Sequence, residues 1–235
     1  MLTLEQVISK NESMFKNLNP AIEFAARKLI EKSFNRGVLI KIVQGYRTKQ
    51  EQDDLYAQGR TKQGTIVTKV KGGMSYHNYG IAIDFAILIN DGKDVSWNCE
   101  ADFDNDKMAD WMEVVEEAKK LGFLWGGDWR NFKDRPHFEM PFGLDEKDYF
   151  NGKRPSDKQI QAQIEYIKSL DIGEVKKDEK KDNDEVQTVK IIRTKDNTVL
   201  EGFLKDGKGY FPVDLLIENG IKVSWDNANK KYYIS

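Results

Sequence analysis

Apolar residues recur at helical spacing in the first part of the chain. Ile22, Ala25, Ala26, Leu29 and Ile30 fall on one stripe, preceded by Asn19-Pro20 as cap and first-turn proline and closed near Gly37. This predicts an amphipathic helix. Upstream, Thr3 with Gln6 makes the capping box of a short helix, and downstream Thr48 with Glu51 caps another that runs to about Ala57. Between them Val38-Leu39-Ile40-Lys41-Ile42-Val43 reads as a buried strand. Ile81 to Ile89 is β-rich and almost continuously apolar, so it is expected to be a central strand, and one acid, Asp84, interrupts it. A helix from about Asp106 to Leu121, stopped by Gly122, and a short strand around His137-Phe138-Glu139-Met140 follow. Ser156 with Gln159 caps a last helix carrying Ile160, Ile164 and Ile167.

The texture then changes. Residues 174–186 are a mixed-charge run with almost nothing to bury, the composition of a solvated linker, with a charged spacer helix as the competing reading. Beyond it come short β-rich runs, Thr188–Arg193, Val199–Leu204, Tyr210–Pro212, Ile221–Trp225 and Lys231–Ile234, separated by turn residues such as Asp206-Gly207, with one or two helical turns over Val213–Asn219. The expected division is a first domain over residues 1–172, a charged linker over 173–186 and a small β-rich domain over 187–235.

A length of 235 residues, 39% of them hydrophobic, suits one ordinary domain plus a small one. Lys and Arg (37) nearly balance Asp and Glu (39), so the broad basic field of a dedicated nucleic-acid binder is missing, and no nucleic-acid partner is expected. The single cysteine, Cys99, excludes an intrachain disulfide and a cysteine-rich metal site. It sits in a polar segment and reads as a tolerated free thiol. No segment approaches the roughly 18 apolar residues of a membrane helix, and Leu-Thr-Leu-Glu-Gln after Met1 is no Sec-type leader. The expectation is a chain made in the cytoplasm without a signal peptide or membrane insertion, which needs some other release if its substrate lies outside.

Both histidines of the chain lie in tight neighbourhoods, Ser75-Tyr76-His77-Asn78-Tyr79-Gly80-Ile81-Ala82-Ile83-Asp84 and Asp134-Arg135-Pro136-His137-Phe138-Glu139. A carboxylate among Ile83, Phe85, Ala86 and Ile87 is costly to bury without a cation, hydrogen bonds or a metal, and a salt bridge from Asp84 to Arg47, or a turn capped by Asp84, is the alternative to a metal. Two histidines and one carboxylate on zinc leave a fourth position open, the arrangement of catalytic sites. A metal brings the pKa of water to about 7, yet peptide hydrolysis also needs a proton acceptor that later protonates the leaving amine. Asp134 is the candidate, with a plain turn as the alternative. Glu139, on the His137 face of the strand, is the second candidate. Arg47, after the strand and Gly45-Tyr46, is the candidate cation for the negative charge of the intermediate, or else an exposed arginine at a helix start.

Ser75-x-His77-x6-Asp84 with Asp134-x-x-His137, preceded by Gly45-Tyr46-Arg47 and accompanied by Trp125-Gly126-Gly127-Asp128-Trp129, resembles the zinc metallopeptidases of the LAS, VanY or M15 class, and within it the L-alanyl-D-glutamate endopeptidases of phages and bacilli. The likeness covers approximately residues 1–145. It implies an α+β fold, a small antiparallel sheet with flanking helices in the manner of Hedgehog and DD-peptidase domains. It further implies Zn2+ on His77, Asp84 and His137, Asp134 as base, Arg47 as stabilising cation, and Ser75, Glu139 and Trp129 as neighbours of the metal or substrate. The C-terminal module, with Gly209-Tyr210-Phe211-Pro212-Val213 and Val223-Ser224-Trp225-Asp226, is similar to copper amine oxidase N-terminal-like domains. Lacking histidine and cysteine, it is expected to bind bacterial wall and no metal, or else to stabilise or dimerise the chain.

What this implies is the layout of a phage lysin: a monomeric peptidase acting on bacterial peptidoglycan once a separate pore lets it through the membrane. The competing functions are a D,D-carboxypeptidase or dipeptidase acting on D-Ala ends, and a non-catalytic wall-binding protein that keeps zinc for stability. A base beside the metal is of no use to the last.

Overall fold

In the computed structural model the described residues are 2–173, 187–193, 199–205, 208–210, 223–226 and 231–234, and the chain divides into two compact units, Met1–Val175 and Lys176–Ser235. Most of the expected linker, residues 174–186, lies outside the described residues, as does the helical segment expected at Val213–Asn219.

The local start signals of the first unit are satisfied in place. Helix α1 (Leu4–Asn11) carries the reciprocal Thr3–Gln6 capping box, α2 (Pro20–Asn35) is capped by Asn19, and α3 (Lys49–Ala57) carries the Thr48–Glu51 box. Strand β1 spans Ile40–Gln44 and β2 spans Ala82–Ile89. Two more short strands follow, β3 (Asp94–Ser96) and, after α4 (Asp110–Lys120), β4 (Leu124–Trp125). The unit closes with β5 (His137–Glu139), α5 (Glu146–Phe150) and α6 (Asp157–Gly173). The strands form one antiparallel sheet in the order β1-β2-β5-β4, with β3 also on β2. An α+β fold with a small antiparallel sheet and flanking helices is therefore what the chain adopts.

Helix α4 begins four residues after the expected Asp106. Residues 102–108 instead make a loop in which aspartate side chains take backbone N–H groups: Asp102 accepts from Asn105 and Lys107, Asp104 from Asp106, and Asp106 from Met108. Such local bonds compete with the helical ladder. Asn105 and Lys107 also have positive φ, which no α-helix admits.

The core lies between sheet and helices. Phe85 of β2 stacks on Phe138 of β5 with ring centroids 4.9 Å apart, and Trp111 of α4 lies 4.4 Å from Phe85. Buried Asn11 stitches α1 to β1 by donating to the Val7 and Ile40 carbonyls and accepting from the Ile42 N–H.

Helices α2 and α4 are joined by an ion cluster. Arg36, at the end of α2, donates from Nε to Glu113 (2.7 Å) and from Nη1 to Glu116 (2.9 Å) and Glu117 (3.0 Å). Glu113 is 2% exposed and Glu117 6%, so removing Arg36 leaves buried carboxylate without its guanidinium. Arg36→Ala is expected to lower unfolding free energy in urea by about 3 kcal/mol at pH 7. Burial pushes the Glu113 carboxyl up even against Arg36. A carboxyl raised on folding destabilises as pH rises through its folded pKa, so the deficit should shrink when the titration is repeated at acid pH.

In the second unit, strands β6 (Gln187–Arg193), β7 (Val199–Lys205), β8 (Lys208–Tyr210), β9 (Val223–Asp226) and β10 (Lys231–Ile234) form a sheet in the order β8-β7-β6-β10-β9. The β6–β10 pair is parallel and the others antiparallel. No helix among the described residues is long and apolar enough to cross a membrane.

Candidate active site

Strand register brings the two motifs together. On β2 and β5 the antiparallel pairing sets Asp84 directly opposite His137 and Ala82 opposite Glu139, so an acid, an imidazole and a second acid share one face of the sheet. His77 arrives from a short 3-10 turn, Tyr76–Tyr79, that ends on Gly80 in the left-handed conformation, φ 68°. A side chain at Gly80 would meet the Asn17 carbonyl and the backbone of Leu18 and Asn19, so the turn that aims His77 needs glycine there.

His77 Nε2, His137 Nδ1 and Asp84 Oδ1 converge. The two imidazole nitrogens are 3.1 Å apart, and they stand 3.3 and 3.1 Å from the carboxylate oxygen. A tetrahedral ion with bonds of about 2.0–2.1 Å sets its ligands about 3.3 Å apart, so the triangle already has the edge length such an ion requires. The outward hydrogen bonds fix both tautomers. His77 Nδ1 lies 2.8 Å from the Gly45 carbonyl, an acceptor only, and His137 Nε2 lies 3.0 Å from Glu139 Oε2. With a cation at the common point, each outer nitrogen keeps its proton and each inner one is placed to give it a lone pair.

Electrostatics favour positive charge at that point. Burial works to raise the Asp84 carboxyl, yet His77 and His137 hold it far below the usual carboxylate range. Burial likewise opposes a charged His137, but Asp84 and Glu139 outweigh it and push this imidazole up to about 10. These donors fit a divalent metal ion. Asp84 Oδ2 also faces Arg47 Nη2 at 3.9 Å, so the salt bridge open as an alternative coexists with the histidine cluster, one oxygen for each.

Arg47 is not an exposed helix-start residue. Its side chain is 14% exposed, Nη1 donates to Gln52 at 2.8 Å, and Nε is buried without a partner. Burial pulls its pKa down, opposed by Asp84, Glu51 and Asp134. Asp134 lies in the segment between the two glycines' turn and β5. Its N–H donates to the Gly126 carbonyl at 3.1 Å, and Trp125 Nε1 holds the next carbonyl, that of Arg135, at 2.7 Å. A side chain on Gly126 would run into the Asp134 backbone and press on Cβ of both Asp134 and His137 at 3.1 Å, so close packing here excludes one. Burial and the neighbouring Asp84 raise the Asp134 carboxyl, against His137, His77 and Arg47.

His77, Asp84, His137, Arg47 and Asp134 line one cleft of about 470 Å3, with Ser75, Trp129 and Glu139 in its wall. The Trp129 ring lies 5.2 Å from that of His137. Besides Arg47, the cleft-lining cation is Lys69, whose ammonium sits 4.4 Å over the Phe132 ring. Cys99 is not among the lining residues. The Gly45 carbonyl and Gln52, which orient His77 and Arg47, escape sequence reading because nothing in their local spacing marks them.

A family model described as D-alanyl-D-alanine carboxypeptidase, of the M15 peptidases, matches residues 68–140. The chain is 52% identical over 124 residues to the peptidoglycan L-alanyl-D-glutamate endopeptidase CwlK of Bacillus subtilis, a match that covers 53% of this chain and 74% of that protein. It is 36% identical over 118 residues to the L-alanyl-D-glutamate peptidase of Listeria phage A118, covering 50% of this chain and 36% of the phage protein. The matched family region ends at residue 140 and lends no support to a copper amine oxidase-like C-terminal module. A metal-ready triangle inside the matched region and a relative this similar over most of its length have one consequence: the chain belongs to the M15 family of metallopeptidases.

Proposed function

We propose that the protein is an endopeptidase of bacterial peptidoglycan that cleaves the L-alanyl-D-glutamate bond of stem peptides with zinc as its metal. The observation that carries this reading is the triangle of His77, Asp84 and His137 opening, with Asp134 and Arg47, onto a single cleft in a chain similar to two enzymes named for that bond. Zinc is favoured over other divalent ions by the tetrahedral edge length and the two-imidazole, one-carboxylate set.

His77, Asp84 and His137 would hold the metal, which supplies a Lewis acid that polarises the carbonyl and acidifies water. Asp134 takes the proton of the attacking water and returns it to the leaving amine, so that one peptide bond and one water become a carboxylate and an amine. Arg47, held by Gln52, faces the carbonyl oxygen as negative charge develops on it. Glu139 keeps the His137 tautomer, while Ser75 and Trp129 shape the wall against the metal and substrate. The unit beyond residue 186 serves as a wall-binding module on a charged linker, and the chain acts as a monomer on the wall after release from the cytoplasm.

A D,D-carboxypeptidase is the second reading, favoured by the description of the matching family model. Mass spectrometry of peptides released from isolated peptidoglycan, with new amino groups labelled, separates the two. A freed D-glutamate amino end is expected. Release of D-alanine would move the enzyme to the carboxypeptidase branch, and no product from metal-loaded protein would remove the peptidase reading for that wall.

A further inference from the structure

The loop before α4 has a chemistry that the peptidase site does not use. Asp102, Asp104 and Asp110 bring carboxylate oxygens within 4.8 Å of one another, and so do Asp104, Asp106 and Glu113, so Asp104 joins two groups into one cluster of five acids. Acids on a surface gather without a ligand, and their turns explain some of this loop. Glu113 is different. It is 2% exposed, it turns a carboxylate oxygen into the cluster, and its Oε2 is buried without any hydrogen-bond partner, while Oε1 is held by Arg36. A buried carboxylate oxygen left unpaired, on a side chain that also faces Asp104 and Asp106, is unfavourable unless a cation meets it.

The spacing names the cation class. Counting Asp102 as position 1, acids stand at 1, 3, 5, 9 and 12, the last being Glu113. This is the ligand spacing of the twelve-residue EF-hand calcium loop, in which position 7 contributes a backbone carbonyl, here that of Met108, and position 12 a glutamate. Position 6, where such loops carry glycine for a sharp turn, is Lys107, which nonetheless has the required positive φ of 79°. Asp102 accepts the N–H groups of positions 4 and 6, and α4 begins at position 9. The set is all oxygen, which selects a hard cation and separates it from the imidazole-rich centre at His77.

We propose that Asp102, Asp104, Asp106, Asp110 and Glu113 bind one calcium-class cation at a site distinct from the His77–Asp84–His137 centre. The ion ties the 102–108 loop to the first turn of α4. Because Trp111 of that turn packs on Phe85, the residue after Asp84, the loop's order bears on the stability of the sheet that carries the peptidase site. It takes no part in bond cleavage.

Calorimetric titration of calcium chloride into the full chain, loaded with its catalytic metal in calcium-free buffer, tests this. One equivalent is expected to bind in the micromolar to millimolar range, with magnesium competing poorly. The melting temperature should rise by about 5 °C or more at calcium about 100-fold above the dissociation constant. Asp106→Asn, at an exposed position, removes a ligand charge without touching the core and should weaken binding by about tenfold or more. Asp134→Asn, in the peptidase cleft, should leave calcium binding unchanged. No heat and no melting shift at 10-fold above about 1 mM calcium would overturn the proposal. So would binding unaffected by Asp106→Asn and Asp104→Asn together, which would place the ion elsewhere.

Discussion

Replacing His77 with alanine is expected to remove the metal and all measurable wall hydrolysis together. His77 Nε2 is one corner of a donor triangle whose other corners lie 3.1 and 3.3 Å away, and without it two donors remain. Loss of a mere hydrogen-bond partner of a metal ligand weakens metal affinity by about 10–100-fold, so loss of the ligand itself should exceed that range. Metal content by atomic emission after dialysis and lysis of isolated walls are the two readouts. His77 is buried, and its removal leaves the Gly45 carbonyl without its donor, so a misfolded variant would mimic the result. Asp84→Asn, nearly the same shape, provides the check. It should lose metal while keeping the wild-type circular dichroism. Full metal retention by a folded His77→Ala protein would mean that the triangle is not the metal site.

Much of this site is legible along the chain because its chemistry is local and its residue types are scarce. A lone acid in the apolar run from Ile81 to Ile89, and histidines only at 77 and 137, leave few ways to assemble a metal centre. Capping boxes at Thr3, Thr48 and Ser156 announce helices for the same reason, since each is complete within four residues. What escapes is whatever depends on distant partners. Strands β3 and β4, three and two residues long, exist through pairing with β2 and β5 and carry no periodicity of their own. The tautomers of His77 and His137 depend on a carbonyl 32 residues away and on a register that sets Glu139 beside His137. Along the chain a helix reads as starting at about Asp106. Acids at alternate positions there instead fold back on the backbone, and only the packed structure reveals the unpartnered oxygen of Glu113 beneath them.

The division of labour between Asp134 and Glu139 gives the second large effect. Both acids line the cleft and both were candidates for the base, but their surroundings differ. Glu139 Oε2 is committed to His137 Nε2 at 3.0 Å, a contact that holds the orientation of the imidazole. Asp134 has its backbone fastened to Gly126, and burial beside Asp84 raises its carboxyl, the direction that suits a group required to accept a proton and give it back. Asp134→Asn should therefore keep wild-type metal content and lose about 10²–10⁴-fold in kcat, the usual contribution of a positioned acid–base group. Glu139→Gln should instead weaken the metal by about 10–100-fold and recover much of its turnover when excess metal is supplied. The pair of metal titrations, each read for both bound metal and rate, distinguishes a base from a holder of the ligand. An Asp134→Asn enzyme with full activity would transfer the proton step to Glu139, and a Glu139→Gln enzyme rescued by metal would return it to Asp134.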